Sequence, residues 1–213
     1  MAQQARARAT RRHVLECAAL NFEKLGYGGA SLSGILAYAN VTKGALYFHF
    51  DSKNALARAV IRKQHELAVM AAQRVLSTSR SPMEAILLCA REMAHQLLAE
   101  PIVRAGVRLS LELGPSDDAA TDPYREWIDT LVRLADEAMA AGELRRDVDT
   151  AALARYLVSS FTGMQLVSEA LCGRSDLHER LAEMWALLLP SIASPAMLPH
   201  LLDFAVSRVE ARF

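Results

Sequence analysis

The 213-residue chain is poor in cysteine and in aromatics, has no net charge and contains no long apolar run. Its cysteines, Cys17, Cys89 and Cys172, are far apart, odd in number and each set among apolar residues. That excludes a disulfide framework or a CxxC metal pair and fits buried, reduced thiols in a cytoplasmic protein. No apolar stretch approaches the roughly 20 residues that span a bilayer. The Arg-rich beginning lacks the apolar centre of a signal peptide, so we expect a cytoplasmic chain with no membrane partner. HExxH, GxSxG, Walker A and GxGxxG patterns are missing, and the histidines (His13, His49, His65, His95, His178, His200) form no ligand-spaced pair. These gaps argue against an enzyme and a metal sensor. We expect no catalytic residue, no metal and no cofactor.

What is present is 52% hydrophobic and 23% charged, enough apolar material for a sizeable core and one domain or two small ones. The 24 basic and 24 acidic residues cancel in number but not in place. Residues 1–63 hold ten basic residues against Glu16, Glu23 and Asp51, a net of +7, which leaves −7 on the remainder. A basic head on an acidic body attracts polyanions at one end only.

Nearly every periodic segment has the helical period, and no strand, internal repeat or low-complexity tract is convincing, so the expected fold class is all-α. Leu15, Ala18, Phe22 and Leu25 share one face of a first helix that Gly26 and Gly28 end. Ser31 is placed to cap a short helix over 32–38, Asn40-Val41 makes a turn, and Thr42 is placed to cap another over 42–49. A fourth helix starts at Asp51 or Ser52 and turns Leu56, Val60, Gln64, Leu67 and Ala71 to one side. Ser81-Pro82-Met83-Glu84 spells a capping box with proline at the first helical position. Pro101 opens the next helix. Gly114 to Asp122 reads as an exposed loop, with a helix from Asp122-Pro123 that Gly142 stops. Helices over 150–171 and 176–192 and one within 196–212 complete about nine or ten.

The two short helices, 32–38 and 42–49, have helix-turn-helix spacing. The second helix of such a pair presents its first turn to base edges in the DNA major groove. Here that turn is Thr42-Lys43-Gly44-Ala45. Thr42 can cap the helix and aim its backbone N–H groups at a phosphate, and Lys43 can donate to guanine O6 or N7. Gly44 and Ala45 leave room for close approach. Tyr47 and His49 have tips suited to phosphate oxygens, and Lys53 opens the next helix nearby. Phe48 and Phe50 are expected in the core.

The stretch from Ser31 to Phe50, followed by Lys53, resembles the DNA-binding signature of TetR-family repressors, and Ala18, Phe22, Gly26 and Tyr27 fit that family's first helix. Asn54 replaces the acidic residue usual after the lysine. Within the family, Thr42-Lys43-Gly44-Ala45-Leu46-Tyr47-Phe48-His49-Phe50 is similar to the γ-butyrolactone receptors of antibiotic-producing actinobacteria. Pro101 to Leu109, Glu126-Trp127 and Leu181 to Trp185 also look like segments of those receptors. The resemblance implies a DNA-binding domain over 1–53 and a ligand-binding and dimerisation domain over 54–213. It implies a homodimer on palindromic operator DNA, released by a small-molecule effector such as a γ-butyrolactone, furan or butenolide. The same fold can serve a sensor of an antibiotic, drug or fatty acid, although aromatics at 6% are few for a multidrug pocket. The DNA-facing residues it implies are Arg11, Ser31, Ser33, Thr42, Lys43, Gly44, Ala45, Tyr47, His49 and Lys53.

The body carries more apolar surface than a two-layer bundle needs, and its fifth helix, with Leu87 and Leu88, is apolar on more than one face. Gln64, Thr162 and Gln165 stand as isolated polar groups among apolar ones, the composition of a pocket for an amphipathic ligand. By resemblance Trp127 is the pocket tryptophan. Gln64 and Thr162 then become hydrogen-bond partners for the ligand head group, with Leu87, Leu88, Phe161, Gln165 and Trp185 around it. Trp185 suits the wall better than a direct contact. Val158, Phe161, Leu166, Leu171, Leu181 and Leu188 belong either to the core or to a dimer seam across a two-fold axis.

Overall fold

The computed structural model describes residues 2–207 and contains no strand among them; its one β-bridge joins Leu144 to Ala193. The helices are α1 (Ala2–Gly29), α2 (Leu32–Ala39), α3 (Lys43–Tyr47), α4 (Lys53–Thr78), α5 (Pro82–Ala99) and α6 (Pro101–Leu113). A 3₁₀ turn (Gly114–Ser116) leads to α7 (Asp118–Ala140), α8 (Thr150–Cys172), α9 (Leu177–Ile192) and α10 (Leu198–Ser207). None of the described helices is long and apolar enough to cross a membrane. The chain divides into two compact units, Met1–Val69 with Ala99–Pro123 and Met70–Leu98 with Tyr124–Phe213.

In the first unit α1 packs against α2, α3 and α6. The core holds Val14, Leu15, Ala18, Phe22, Ile35, Leu46, Phe50, Leu56, Val60, Ile61, Ala105 and Leu109. Leu15, Ala18 and Phe22 point inward as the period requires, whereas Leu25 is 47% exposed. Gly26 follows it at a φ of 70°, in the left-handed region that glycine tolerates, and bends the helix there. The side chains of Arg108 and Glu112 fill the space beside it, and Glu112 accepts from the Tyr27 amide. At Gly106 an added Cβ would collide with Cβ of Gln64, so α6 and α4 touch through a missing side chain.

Two capping expectations hold in detail. Ser31 Oγ accepts from Gly34 N at 3.0 Å, and Thr42 Oγ1 from Ala45 N at 3.2 Å. Asn40 turns the chain between α2 and α3 in the left-handed region, at φ 50°. The segment 114–122 departs from the expected exposed loop. Asp117 is buried, accepts from Arg58 Nε at 2.9 Å and caps the amide of Ala119, so α7 begins at Asp118 and carries Pro123 within it. Burial pushes the Asp117 carboxyl up, but Arg58, Asn54 and the Ala119 amide outweigh it and hold it below its ordinary value. Asn54 donates to the same carboxylate at 3.4 Å, so an acid at this position would face Asp117 with like charge.

In the second unit the capping box is half formed. Ser81 Oγ accepts from Glu84 N, but the reciprocal carboxylate comes from Glu143, which accepts from Ser81 Oγ and Met83 N at 2.9 Å each. Glu84 instead meets His200 at 2.8 Å. Asp149 caps α8 through Ala152 N, and Gly142 and Gly173, both at positive φ, follow α7 and α8. The expectation of three buried thiols needs one correction: Cys17 and Cys89 are buried, whereas Cys172, on the last turn of α8, is exposed.

Candidate nucleic-acid interface and ligand cleft

Helix α3 has an inner and an outer side. Leu46 and Phe50, four residues apart, turn inward and are 0% and 3% exposed. Thr42, Lys43, Gly44 and Tyr47 face solvent, and Ala45 is half-buried. A Cβ placed on Gly44 would meet nothing within 4 Å. Lys43 Nζ lies 5.8 Å from the Tyr47 ring centroid, which leaves the ammonium beside the ring and in solvent. Phe48 corrects the sequence reading: it is 79% exposed, not core, because Leu46 and Phe50 occupy the inward positions on either side of it. It adds an apolar ring to the outer face, with His49 edge-on at 5.0 Å between centroids.

The other DNA-facing candidates surround this helix. Ser31 and Ser33 are exposed and their hydroxyls lie 3.1 Å apart. Arg11, exposed on α1, sets its guanidinium 5.1 Å from the Phe50 ring centroid, just behind α3. Lys53 is placed otherwise. Its Nζ donates to Tyr27 O at 2.8 Å and Ala30 O at 3.1 Å and sits 4.3 Å from the Tyr27 ring centroid. Two of its three donors are therefore spent on fastening the end of α1.

The ligand candidates are less tightly gathered. Leu87, Leu88 and Trp185 line one shallow, solvent-open cleft in the second unit together with Arg91, His178 and Phe204. Burial lowers the His178 pKa, with Arg91 and His95 adding repulsion. Trp185 is 2% exposed, as a pocket wall should be. Trp127, Phe161 and Thr162 are half-buried and do not line this cleft. The indole Nε1 of Trp127 is nonetheless buried and has no hydrogen-bond acceptor in the protein. Gln165 is buried beneath the α8–α9 connection, where its Oε1 accepts from Arg174 Nε and Nη2 at 3.1 and 3.0 Å. Gln64 belongs to the first unit, 5% exposed against Gly106. Sequence reasoning did not assign Arg91 or His178 to this cleft; Arg91 is its cation, whereas burial and the neighbouring cationic groups favour the neutral form of His178. Among the described residues, no group of three His, Cys, Asp or Glu could hold a metal ion.

Helices α8 and α9 expose apolar side chains: Leu166 41%, Val167 49%, Leu171 70% and Leu187 81%. Leu181 is core, while Val158, Phe161 and Leu188 are half-buried. Together the exposed ones form an unusual surface for a chain that stays monomeric.

Comparison with known proteins adds to this geometry. A family model described as bacterial regulatory proteins, tetR family, matches residues 14–60. One described as tetracyclin repressor-like, C-terminal domain, matches residues 80–194. The A-factor receptor protein of Streptomyces griseus is 40% identical over 204 residues, 94% of this chain and 70% of that one. The crystal structure of a γ-butyrolactone receptor (ArpA-like protein) superposes with a TM-score of 0.82 at 30% identity, over 97% of this chain and 98% of that one. The TetR-family protein CprB of Streptomyces coelicolor, in complex with its biological operator sequence, gives a TM-score of 0.85 at 30% identity, over 98% and 100%.

Proposed function

Because the chain belongs to the TetR family of bacterial regulatory proteins, we propose that it is a cytoplasmic, ligand-responsive repressor that binds a palindromic operator as a homodimer. The observation that carries this reading is the outer face of α3, where Lys43, Gly44, Tyr47 and Phe48 stand exposed on a helix fixed from behind by Leu46 and Phe50. Lys43 addresses a base edge, Gly44 and Ala45 admit close approach, and Thr42, Tyr47, His49, Ser31, Ser33 and Arg11 hold phosphates. Lys53 positions α3 by tying the end of α1. Residues 1–53 supply these contacts, and residues 54–213 supply the ligand pocket and the dimer seam.

The effector is a γ-butyrolactone or a related furan or butenolide, the ligand class in the name of the ArpA-like neighbour. Within the second unit, Trp127 offers its unpaired Nε1 and ring, and Thr162, Leu87, Leu88, Phe161, Gln165 and Trp185 are the further candidate contacts. Arg91 in the cleft favours a second reading, an acidic amphiphile such as a fatty acid. Selection of bound duplexes from a random library tests the first claim. A palindrome is expected, and recovery of unrelated sequences would reject it. Adding a γ-butyrolactone or a fatty acid to the selected complex separates the two effectors by which one releases the DNA.

A further inference from the structure

We propose that α1 carries a second DNA contact, a row of arginines that tracks the phosphodiester backbone beside the duplex segment read by α3. The inference rests on the DNA-binding reading above and extends it from Arg11, which that reading already uses, to Arg8 and Arg12, which it does not.

The row is written in the helical register. Arg8, Arg11 and Arg12 each stand seven residues, close to two turns, ahead of a buried residue: Leu15, Ala18 and Ala19 respectively. The side of α1 that packs on the core therefore continues past the end of that core, and there its residues change from apolar to arginine. Arg11 marks the transition, its guanidinium against the Phe50 ring that closes the back of α3. Arg8 follows one turn beyond, about 4.5 Å along the axis, and Arg12 lies beside them. All three are exposed. The residues between them are Ala9 and Thr10, which leave the guanidinium groups uncovered. No acidic residue precedes Glu16, and Arg12 Nε reaches Glu16 only at 4.0 Å with both side chains mostly exposed, a pair too weak to retain it. His13 Nε2 lies 3.0 Å from Ala39 O, which fixes this part of α1 against the end of α2.

Charge complementarity selects the partner. A B-form duplex presents a phosphate about every 3.4 Å along each strand, and guanidinium groups bind phosphate oxygens in a fork geometry. Contacts of this kind add affinity without sequence preference.

The test compares the full-length wild type with Arg8→Ala/Arg12→Ala and Arg8→Lys/Arg12→Lys, on the duplex recovered by selection and on a scrambled duplex, across a salt series. Alanine is the better helix former, so α1 is preserved, and circular dichroism checks it. Loss of the two contacts should make the log–log salt slope shallower by about 2 for each bound chain. The preference for selected over scrambled duplex should stay within about twofold, because phosphate contacts carry no sequence information. The lysine variant should keep most of the slope. An unchanged slope in a folded alanine variant would overturn the proposal while leaving the role of α3 intact. A wild type with no preference among duplexes would instead defeat the DNA-reading premise, and this proposal with it.

Discussion

Gly44 and Gly106 both lie inside helices, and their surroundings give them opposite duties. An added Cβ at Gly106 would collide with Gln64, so Gly106→Ala should destabilise the protein by about 1–3 kcal/mol in urea unfolding. At Gly44 nothing lies within 4 Å, so Gly44→Ala should stabilise α3 by up to about 1 kcal/mol while weakening operator binding by crowding the groove. Lys43→Ala should lose about 1–3 kcal/mol of discrimination, read by fluorescence anisotropy on the selected duplex and a variant altered at the contacted base. The outer face of α3 was legible in residue type, since a lysine beside small residues makes a poor core. Phe48 was not legible, because an aromatic between Leu46 and Phe50 looks like core until the helix phase is known. Lys53 was likewise identifiable as a basic residue at the right offset, but its carbonyl acceptors lie 23 and 26 residues away.

At the level of elements, the starts of α2, α3 and α8 followed from Ser31, Thr42 and Asp149, because capping bonds span only three residues. The start of α7 did not follow, because the partner that holds Asp117 is Arg58, 59 residues earlier. Glu143 is the same kind of surprise at α5. Glu143→Ala should leave Ser81 and the buried Met83 amide unpaired and cost about 1–3 kcal/mol in chemical denaturation, with Glu143→Gln falling between. Between α8 and α9, the Ser168 hydroxyl, the Cys172 thiol and Arg180 hold Asp176 at about 2, below its ordinary 3.8. A carboxylate lowered in this way stabilises the fold above its unfolded value and loses that contribution as pH falls toward the folded one. Thermal melts should therefore show wild type losing more stability than Asp176→Asn on acidification from about pH 4 to about pH 2.

Across the whole molecule, the all-α class and the basic head were legible because periodicity and charge are local properties of sequence. The proposed dimer seam was not, since an apolar face reads the same whether a neighbouring helix or a second copy covers it. Leu181 proved core, and Leu187, not anticipated, is the most exposed large apolar side chain among the described residues. Leu171→Glu/Leu187→Glu should yield a folded monomer by sedimentation and lose affinity for a two-half-site operator, because two linked heads bind far more tightly than one. Repression released by a ligand further requires that ligand and operator favour different conformations, and α4, from Lys53 to Gln64, is the segment we assign to carry the change. Such coupling is reciprocal. Titration calorimetry of a γ-butyrolactone into the free protein and into its operator complex measures it directly. The account predicts weaker ligand binding to the complex, by the same factor by which ligand weakens operator binding; equal affinity in the two titrations would contradict it.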